Sequence, residues 1–436
     1  MTPSMIGVMG IIVFCVLLFT GLNVAMCMLV TGTLGCMLLL PNPMSAANVL
    51  TEGVYRTFMA YLTSVAPMFM LMGDIAAESG LGTDLFETIR RLSGGRKGVL
   101  ASATQVVSTI FGAICGSGTA TASMMSRVAY PEMKKFKYSD ALSTGAIGSG
   151  ASLSTLIPPS LPLITYGLIS GASMGKLFVA GILTGVMLMF LFIITVQIWA
   201  KVSPNAAPPS SRATRAEKIE ALKGGSLFQI IILFFFVMGG LFAGWFTPTE
   251  AGVVGVFGII LLTIIGRRFS FKMIVKALHN TLVMSVVIYL LIAGSEVFNK
   301  FFTLSRVSIS LGKQVEGLDL SPLTIILILT IIYFLLGTAI EVMPIMLLTT
   351  PIFLPIVDSL GYDPIWFGIY MIVNMGLGAI SPPSGISIFV TSAVCDVPMT
   401  TVFKGTVPFM IAFLVGIALM AIFPEIVSVL PNLMNL

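Results

Sequence analysis

Charge is scarce in this sequence. Of 436 residues only 9% are Asp, Glu, Lys or Arg, and 57% are hydrophobic, against about 25% charged and about 45–50% apolar in soluble domains. Lys and Arg number 23, Asp and Glu 18, too few to give a soluble fold of this size its polar skin, so most of the chain is solvated by lipid. Histidine is almost absent: His279 stands alone, which removes haem ligation and His-based catalysis. The five cysteines (Cys15, Cys27, Cys36, Cys115 and Cys395) show no C-x-x-C spacing, so neither a disulfide framework nor a zinc site follows. No G-x-x-x-x-G-K-[ST] loop is present, and the energy for any transport must come from an ion gradient. These absences argue against a redox or hydrolytic enzyme, an organic cofactor and a nucleic-acid partner; the net charge of +5 reads instead as basic loops held on the cytoplasmic side.

What remains is apolar sequence in uncharged runs of 20 or more residues, which predicts helical spans and excludes an alternating-polarity β-barrel. The first charge is Glu52, so the N-terminus reads as a membrane segment and not as a signal peptide. As one helix, residues 5–40 would run about 54 Å, beyond a core of about 30 Å; a break at Gly21 and Asn23 gives a helix pair. A span is expected over 57–79, with Pro67 inside it, followed by basic Arg90, Arg91, Arg96 and Lys97. Residues 98–126 are uncharged but basic at both flanks (Arg127, Lys134, Lys135 and Lys137 follow). That pattern predicts a re-entrant hairpin entering from the cytoplasm and turning at 115–119. Spans over 139–170, interrupted at Ile157-Pro-Pro-Ser160, and 176–200 lead into a polar linker with Arg212, Arg215, Lys218 and Lys223.

The second half repeats the plan. Spans near 226–246, 249–266 and 277–299 precede a second hairpin over 321–358, broken at Gly337-Thr338 and Pro344. Its flanks are acidic (Glu316, Asp319, Asp358 and Asp363), so it is expected to enter from outside. A span over 364–392, broken at Ser381-Pro-Pro-Ser-Gly385, and a last one over 405–429 leave both termini periplasmic. The fold expected is an all-α polytopic membrane protein, an inverted-topology repeat with two re-entrant hairpins and broken helices, as in secondary transporters. Residues 1–200 form the first repeat (arm 1–97, hairpin and broken helix 98–200), 201–225 the cytoplasmic linker, and 226–436 the second repeat (arm 226–320, hairpin and broken helix 321–436). The arms are expected to be a scaffold and the hairpin units the moving part.

A Pro-Pro pair removes two donors and frees preceding carbonyls, and glycines let those carbonyls turn inward. In lipid such groups need partners, and Na⁺ can be held by carbonyl and hydroxyl oxygens at helix C-terminal ends. One candidate ion site combines Ser117 and Gly118 with Gly150 and Ser152; the other combines Gly337 and Thr338 with Met375 and Gly378. The alternative is that these small residues only form packing seams. Substrate candidates lie at the breaks: Ser154, Pro158 and Ser160 in the first repeat, Ser381, Pro382 and Ser384 in the second, with an anion meeting half-helix N-termini at Ser160 and Ser384. Arg127 either contacts the substrate or closes the cytoplasmic end of its hairpin. Glu341, a carboxylate within apolar sequence, reads as a coupling or substrate group or as a helix cap. Asp74 reads as a cap.

At these residues the sequence resembles the large membrane subunit (M or DctM type) of tripartite ATP-independent periplasmic (TRAP) transporters. The matching pieces are Ala66-Pro-Met-Phe69, Cys115-Gly-Ser-Gly-Thr-Ala-Thr121, Tyr130-Pro-Glu-Met-Lys-Lys135, Leu156-Ile-Pro-Pro-Ser160, Trp245-Phe-Thr-Pro-Thr-Glu-Ala251, Pro351-Ile-Phe-Leu-Pro355, Asp363-Pro-Ile-Trp-Phe-Gly368 and Ser381-Pro-Pro-Ser-Gly385. The resemblance implies an ion-transporter fold in the bacterial inner membrane, Na⁺ as coupling ion and an elevator motion. It also implies a small four-helix (Q or DctQ-type) subunit and a periplasmic (P or DctP-type) binding protein. The expected activity is Na⁺-driven import of a small organic anion, a carboxylate or sulfonate. A stand-alone sodium/dicarboxylate symporter is the alternative within transport; a channel or intramembrane enzyme is the alternative outside it.

Overall fold

A computed structural model describes residues 2–210, 214–223, 226–307, 321–382 and 385–433. These hold twenty α-helices and no strand. Asn23 caps the second of two short helices, α1 (Pro3–Phe19) and α2 (Val24–Leu39), accepting from the Ala25 amide, while Gly21 turns the chain at φ 82°. The expected span over 57–79 is corrected. A helix α3 (Pro43–Met59) and a helix α4 (Val65–Glu78) meet at a 57° bend after Ala60, and Pro67 falls in the first turn of α4, where it removes no helical hydrogen bond. Amphipathic α5 (Leu81–Ser93) follows.

The first hairpin is α6 (Val99–Cys115) and α7 (Gly118–Lys135); the first broken helix is α8 (Asp140–Leu153) and α9 (Leu161–Ser170); α10 (Met174–Val202) completes the repeat. On α5, Glu87 accepts from Arg90 at 2.6 Å and Arg91 at 2.7 Å, and Arg90 reaches Glu132 of α7 at 3.9 Å. The Arg90 hydrogen bond, more than any other contact, holds the Glu87 carboxyl below its ordinary value. The linker is more ordered than its composition implies. Its residues 206 and 207 accept from the Ser139 and Gly98 amides, and α11 (Arg215–Lys223) packs on α5. Arg212 lies outside the described residues, as do Glu316 and Asp319.

The second half runs α12 (Ser226–Phe242), α13 (Pro248–Ile265), α14 (Phe271–Ser305), the hairpin α15 (Pro322–Ala339) and α16 (Val342–Ser359), the broken helix α17 (Pro364–Ala379) and α18 (Ile386–Cys395), then α19 (Met399–Ile422) and α20 (Glu425–Leu433). The helix expected over 277–299 is therefore 35 residues long, about 52 Å at 1.5 Å per residue. The second hairpin breaks at 340–341, just after Gly337-Thr338. Pro344 sits in the first turn of α16.

Ser117 and Glu341, the N-caps of α7 and α16, lie 224 positions apart, as do Pro158 and Pro382. That one shift carries α1 onto α12, α2 onto α13, α7 onto α16, α8 onto α17 and α9 onto α18 to within two residues. The bent α3–α4 pair corresponds to the single α14. Packing repeats too: α1 lies on α2 as α12 lies on α13, α6 on α8 as α15 on α17, and α7 on α18 as α16 on α9. The inverted repeat is thus a repeat of contacts as well as of sequence.

Without a hydrophobic drive between helices in lipid, close approach comes from small residues. A Cβ on Gly32 of α2 would stand 2.9 Å from the Phe298 amide of α14, and one on Gly145 of α8 would strike the Gly405 carbonyl of α19. Aromatic side chains fill the remaining interior, including a stack of Tyr362, Trp366 and Tyr370 with centroids 4.5 and 4.8 Å apart. Among the described residues, five helices are long and apolar enough to cross a membrane. Two groups result: α1–α4 with α12–α14, and the hairpins with their broken helices, α10 and α19.

Candidate functional site

Both hairpin tips and both helix breaks converge on one cavity. It is lined by residues 116–119 of the first tip and by Ser152 and Thr155 before the first Pro-Pro. From the second half come Gly337, residues 340–343, Gly376, Ala379 and Ser387. The backbone builds this convergence. Ser117 leaves the helical region at φ −127° and its hydroxyl caps α7, accepting from the Ala120 amide at 3.4 Å. Gly116, at φ 59°, supplies the left-handed turn before it. A Cβ on Gly118 would meet the Ala151 carbonyl and the Ser387 hydroxyl at 3.3 Å each, so this tip is wedged between the end of α8 and the start of α18. The first repeat's tip therefore seats against the second repeat's broken helix as well as its own.

The first candidate ion set divides. Ser117, Gly118 and Ser152 share the cavity, whereas Gly150 faces away: a Cβ there would lie 2.8 Å from the Ser108 hydroxyl and 2.9 Å from Gln105 Oε1 on α6. Three residues before the helix end, Gly150 points to the α6 side by helical rotation. In the second set Gly337 lines the cavity. Met375 and Gly378 sit behind it, with the carbonyls of Met375 and Gly337 bordering a backbone contact in which Gly378 would bring a Cβ to 2.6 Å from the Gly337 Cα. Thr338 does not line the cavity and donates to the Leu335 carbonyl at 2.8 Å.

The substrate candidates divide as well. Glu341 lines the cavity and is exposed in it, and its side chain makes no cap hydrogen bond, which corrects the cap reading. Among the described lining residues it is the only charged one. Arg127 is exposed on α7, ten residues and about 15 Å of helix from Ser117, and is not in the lining. Ser154 and Ser160 are buried and satisfied locally, Ser154 donating to the Ala151 carbonyl at 2.6 Å and Ser160 donating to the Thr155 carbonyl while capping α9. Pro158 is buried beside Gly181 of α10. Ser381 is buried and donates to the Leu377 carbonyl at 2.7 Å; Pro382 is exposed; Ser384 lies outside the described residues. Asp74 is no helix cap either: it accepts from Thr281 of α14 at 2.7 Å.

Sequence reasoning missed Thr119, Thr155 and Ser387, whose hydroxyl-bearing side chains border the cavity, and Met284 of α14. The three hydroxyl residues sit within a few residues of the breaks and could have been found by extending each break by one turn. Nothing in the sequence sets Met284 apart from the other apolar residues of α14. Chemically the cavity offers hydroxyls, glycine main chain, one carboxylate, the N-terminal ends of α7, α9, α16 and α18 and the C-terminal ends of α8, α15 and α17, an arrangement able to hold a small cation and a polar molecule side by side.

Comparison with known proteins agrees with this architecture. The sequence profile of the DctM component of tripartite ATP-independent periplasmic transporters matches residues 11–426. The chain belongs to this family. It is 30% identical over 405 residues to the C4-dicarboxylate TRAP transporter large permease protein DctM of Pseudomonas aeruginosa, covering 92% of this chain and 93% of that one. It is 28% identical to the sialic acid TRAP transporter large permease SiaM of Vibrio cholerae over 368 residues (84% and 85%). To the ectoine TRAP transporter large permease TeaC of Halomonas elongata it is 30% identical over 371 residues (84% and 85%). In fold it is similar to the YdaH transporter of Alcanivorax borkumensis, with a TM-score of 0.66 and 14% identity over 91% of this chain and 98% of that one. The protein is a TRAP transporter large permease subunit, a membrane protein and not an enzyme.

Proposed function

We propose that this TRAP permease subunit imports a small organic anion, a carboxylate or sulfonate, across the bacterial inner membrane, driven by Na⁺. The observation that carries the reading is the single cavity where two inverted hairpins meet, bordered by hydroxyls, carbonyls and Glu341. Sodium is held at the first tip by Ser117, Ser152 and nearby carbonyls, and at the second beside Gly337 and Met375. The bound cation together with the N-termini of α7 and α16 offsets the substrate's negative charge, since the described lining carries no Lys or Arg. The names of the relatives, a C4-dicarboxylate, a sialic acid and an ectoine system, support a small polar substrate. A DctQ-type small subunit covers the α1–α4 and α12–α14 group, which is the fixed scaffold; a DctP-type periplasmic protein delivers the substrate; both termini are periplasmic. The hairpin group moves as an elevator.

Omission of one component at a time from proteoliposomes tests the tripartite reading. Uptake is expected only with the permease, the small subunit and the binding protein together. Equal uptake without the binding protein would favour a stand-alone symporter and overturn this reading.

A further inference from the structure

Away from the substrate cavity, α10 and α19 run antiparallel to each other. Leu188 of α10 meets Gly416 of α19, where a Cβ would lie 2.6 Å from its Cδ2, and Phe192 packs edge-on against Phe409 and Phe413 with ring centroids 5.5 and 5.1 Å apart. Beyond Phe192, toward the end of α10, the helices part. Between them lies a groove of about 370 Å³, lined by Ile198, Trp199, Val202 and Ser203 from the α10 side and by Pro408 and Ile411 from α19.

The two ends of this groove differ in chemistry. Pro408 has no N–H, so the Lys404 carbonyl receives no helical hydrogen bond from it, and Lys404, Pro408 and Ile411 share one face of α19 at i, i+4 and i+7. The antiparallel register sets Lys404 level with the Trp199 turn. At that level stand three donors with no acceptor among the described residues: the Lys404 ammonium, the Trp199 indole N–H and the Ser203 hydroxyl. Neither α10 nor α19 contains an Asp or Glu that could neutralise the lysine. The rest of the groove is apolar, with Ile198 and Ile411 exposed along its walls.

We propose that this groove binds an anionic phospholipid of the cytoplasmic leaflet, with its phosphate at Lys404, Trp199 and Ser203 and an acyl chain along Ile198 and Ile411. The end of α10 leads into the basic linker, which places these donors at the cytoplasmic interface, where a tryptophan and a basic pocket between helices meet anionic headgroups. A free aqueous anion would satisfy the donors and leave the apolar trench uncovered. A transmembrane helix, about 10–12 Å across, does not fit a groove of this volume. The lipid also has something to brace: Gly405, next to Lys404 on α19, forms the seam with Gly145 of α8, and α8 carries Ser152 into the substrate cavity. The choice of leaflet rests on the membrane orientation given under Proposed function; the site itself does not depend on the ion or the substrate.

Lipid titration of the full chain, purified in detergent with its small subunit and read by native mass spectrometry, tests this. Phosphatidylglycerol should be retained about fivefold more tightly than phosphatidylcholine of the same acyl chains, the contribution of one lysine beside an anionic surface. Lys404→Gln should abolish that preference and Lys404→Arg should keep it. Thr195→Trp, which fills the groove and leaves Lys404 in place, should weaken retention of both lipids. Inorganic phosphate should not displace the bound lipid. Equal retention of the two lipids by the unaltered protein, or an unchanged preference in Lys404→Gln, would overturn the proposal, and displacement by phosphate would make this a plain anion site. A photoreactive residue at position 198, activated in native membranes, separates the remaining occupants: an adduct with phospholipid supports the proposal, and an adduct with the small subunit contradicts it. None of these readings requires Na⁺ or transport, so a failure of the proposed function leaves them interpretable.

Discussion

Ser117 and Glu341 occupy the same place in the two halves of the chain. Each is the N-cap of its hairpin's second arm, and both line one cavity. The pair differs in chemistry. Ser117 caps its helix and Glu341 does not, so the second half has exchanged a cap for a carboxylate at a depth where a charge is expensive. Such an exchange makes Glu341 the residue whose removal is most informative. Glu341→Gln keeps shape and removes charge; loss of a charge-assisted contact to a bound cation or substrate donor, about 1.5–3 kcal/mol, lowers apparent affinity by about ten- to a hundredfold. Uptake titrated against Na⁺ and against substrate reads which ligand is affected, and an unchanged profile for both would remove Glu341 from the site.

The contact between Gly337 and Gly378 leaves no room for a side chain. Gly378→Val places its Cβ 2.6 Å from the Gly337 Cα and forces α15 from α17 with an overpacking penalty of about 1–3 kcal/mol. Transport should fall strongly while the protein still inserts. The check is uptake normalised to membrane-inserted protein.

Gly145 and Gly405 form a corresponding seam between α8 and α19, remote from the cavity lining. Gly145→Val should lower thermal stability by several degrees, with uptake declining only in proportion to folded protein. A loss of turnover at unchanged melting temperature would give the seam a role in motion.

Arg127 lies outside the cavity, so Arg127→Gln should insert normally and transport with unchanged apparent affinity. A tenfold rise in the substrate concentration for half-maximal uptake would return this residue to the binding machinery.

Much of this site was legible in the sequence because it is written as interruptions. Paired prolines, glycine tips and charge at both flanks of an uncharged run mark breaks whatever surrounds them, and both hairpins and both broken helices fell where those signals placed them. Orientation within an unbroken helix was not legible. Gly150 belongs to the same glycine- and serine-rich run as Ser152, yet two residues of helix turn it about 200° away, toward Gln105 and Ser108. The bend at Ala60 has no proline or glycine to announce it. Its counterpart runs straight through Met284, so tertiary packing and not local sequence separates the two. For Arg127 the sequence left substrate contact and closure of the hairpin's cytoplasmic end both open, because a rare charge near a hairpin stands out whether it faces the site or the solvent; the exposed position outside the cavity lining favours the second.

Coupling of substrate to sodium in this cavity is tested most directly by uptake into the reconstituted three-component system under an imposed ion gradient. With Na⁺ outside and choline within, substrate should accumulate above its equilibrium level, and dissipating the Na⁺ gradient should abolish the accumulation. Equal accumulation with choline on both sides, or accumulation that follows an imposed proton gradient in the absence of Na⁺, would contradict the claim.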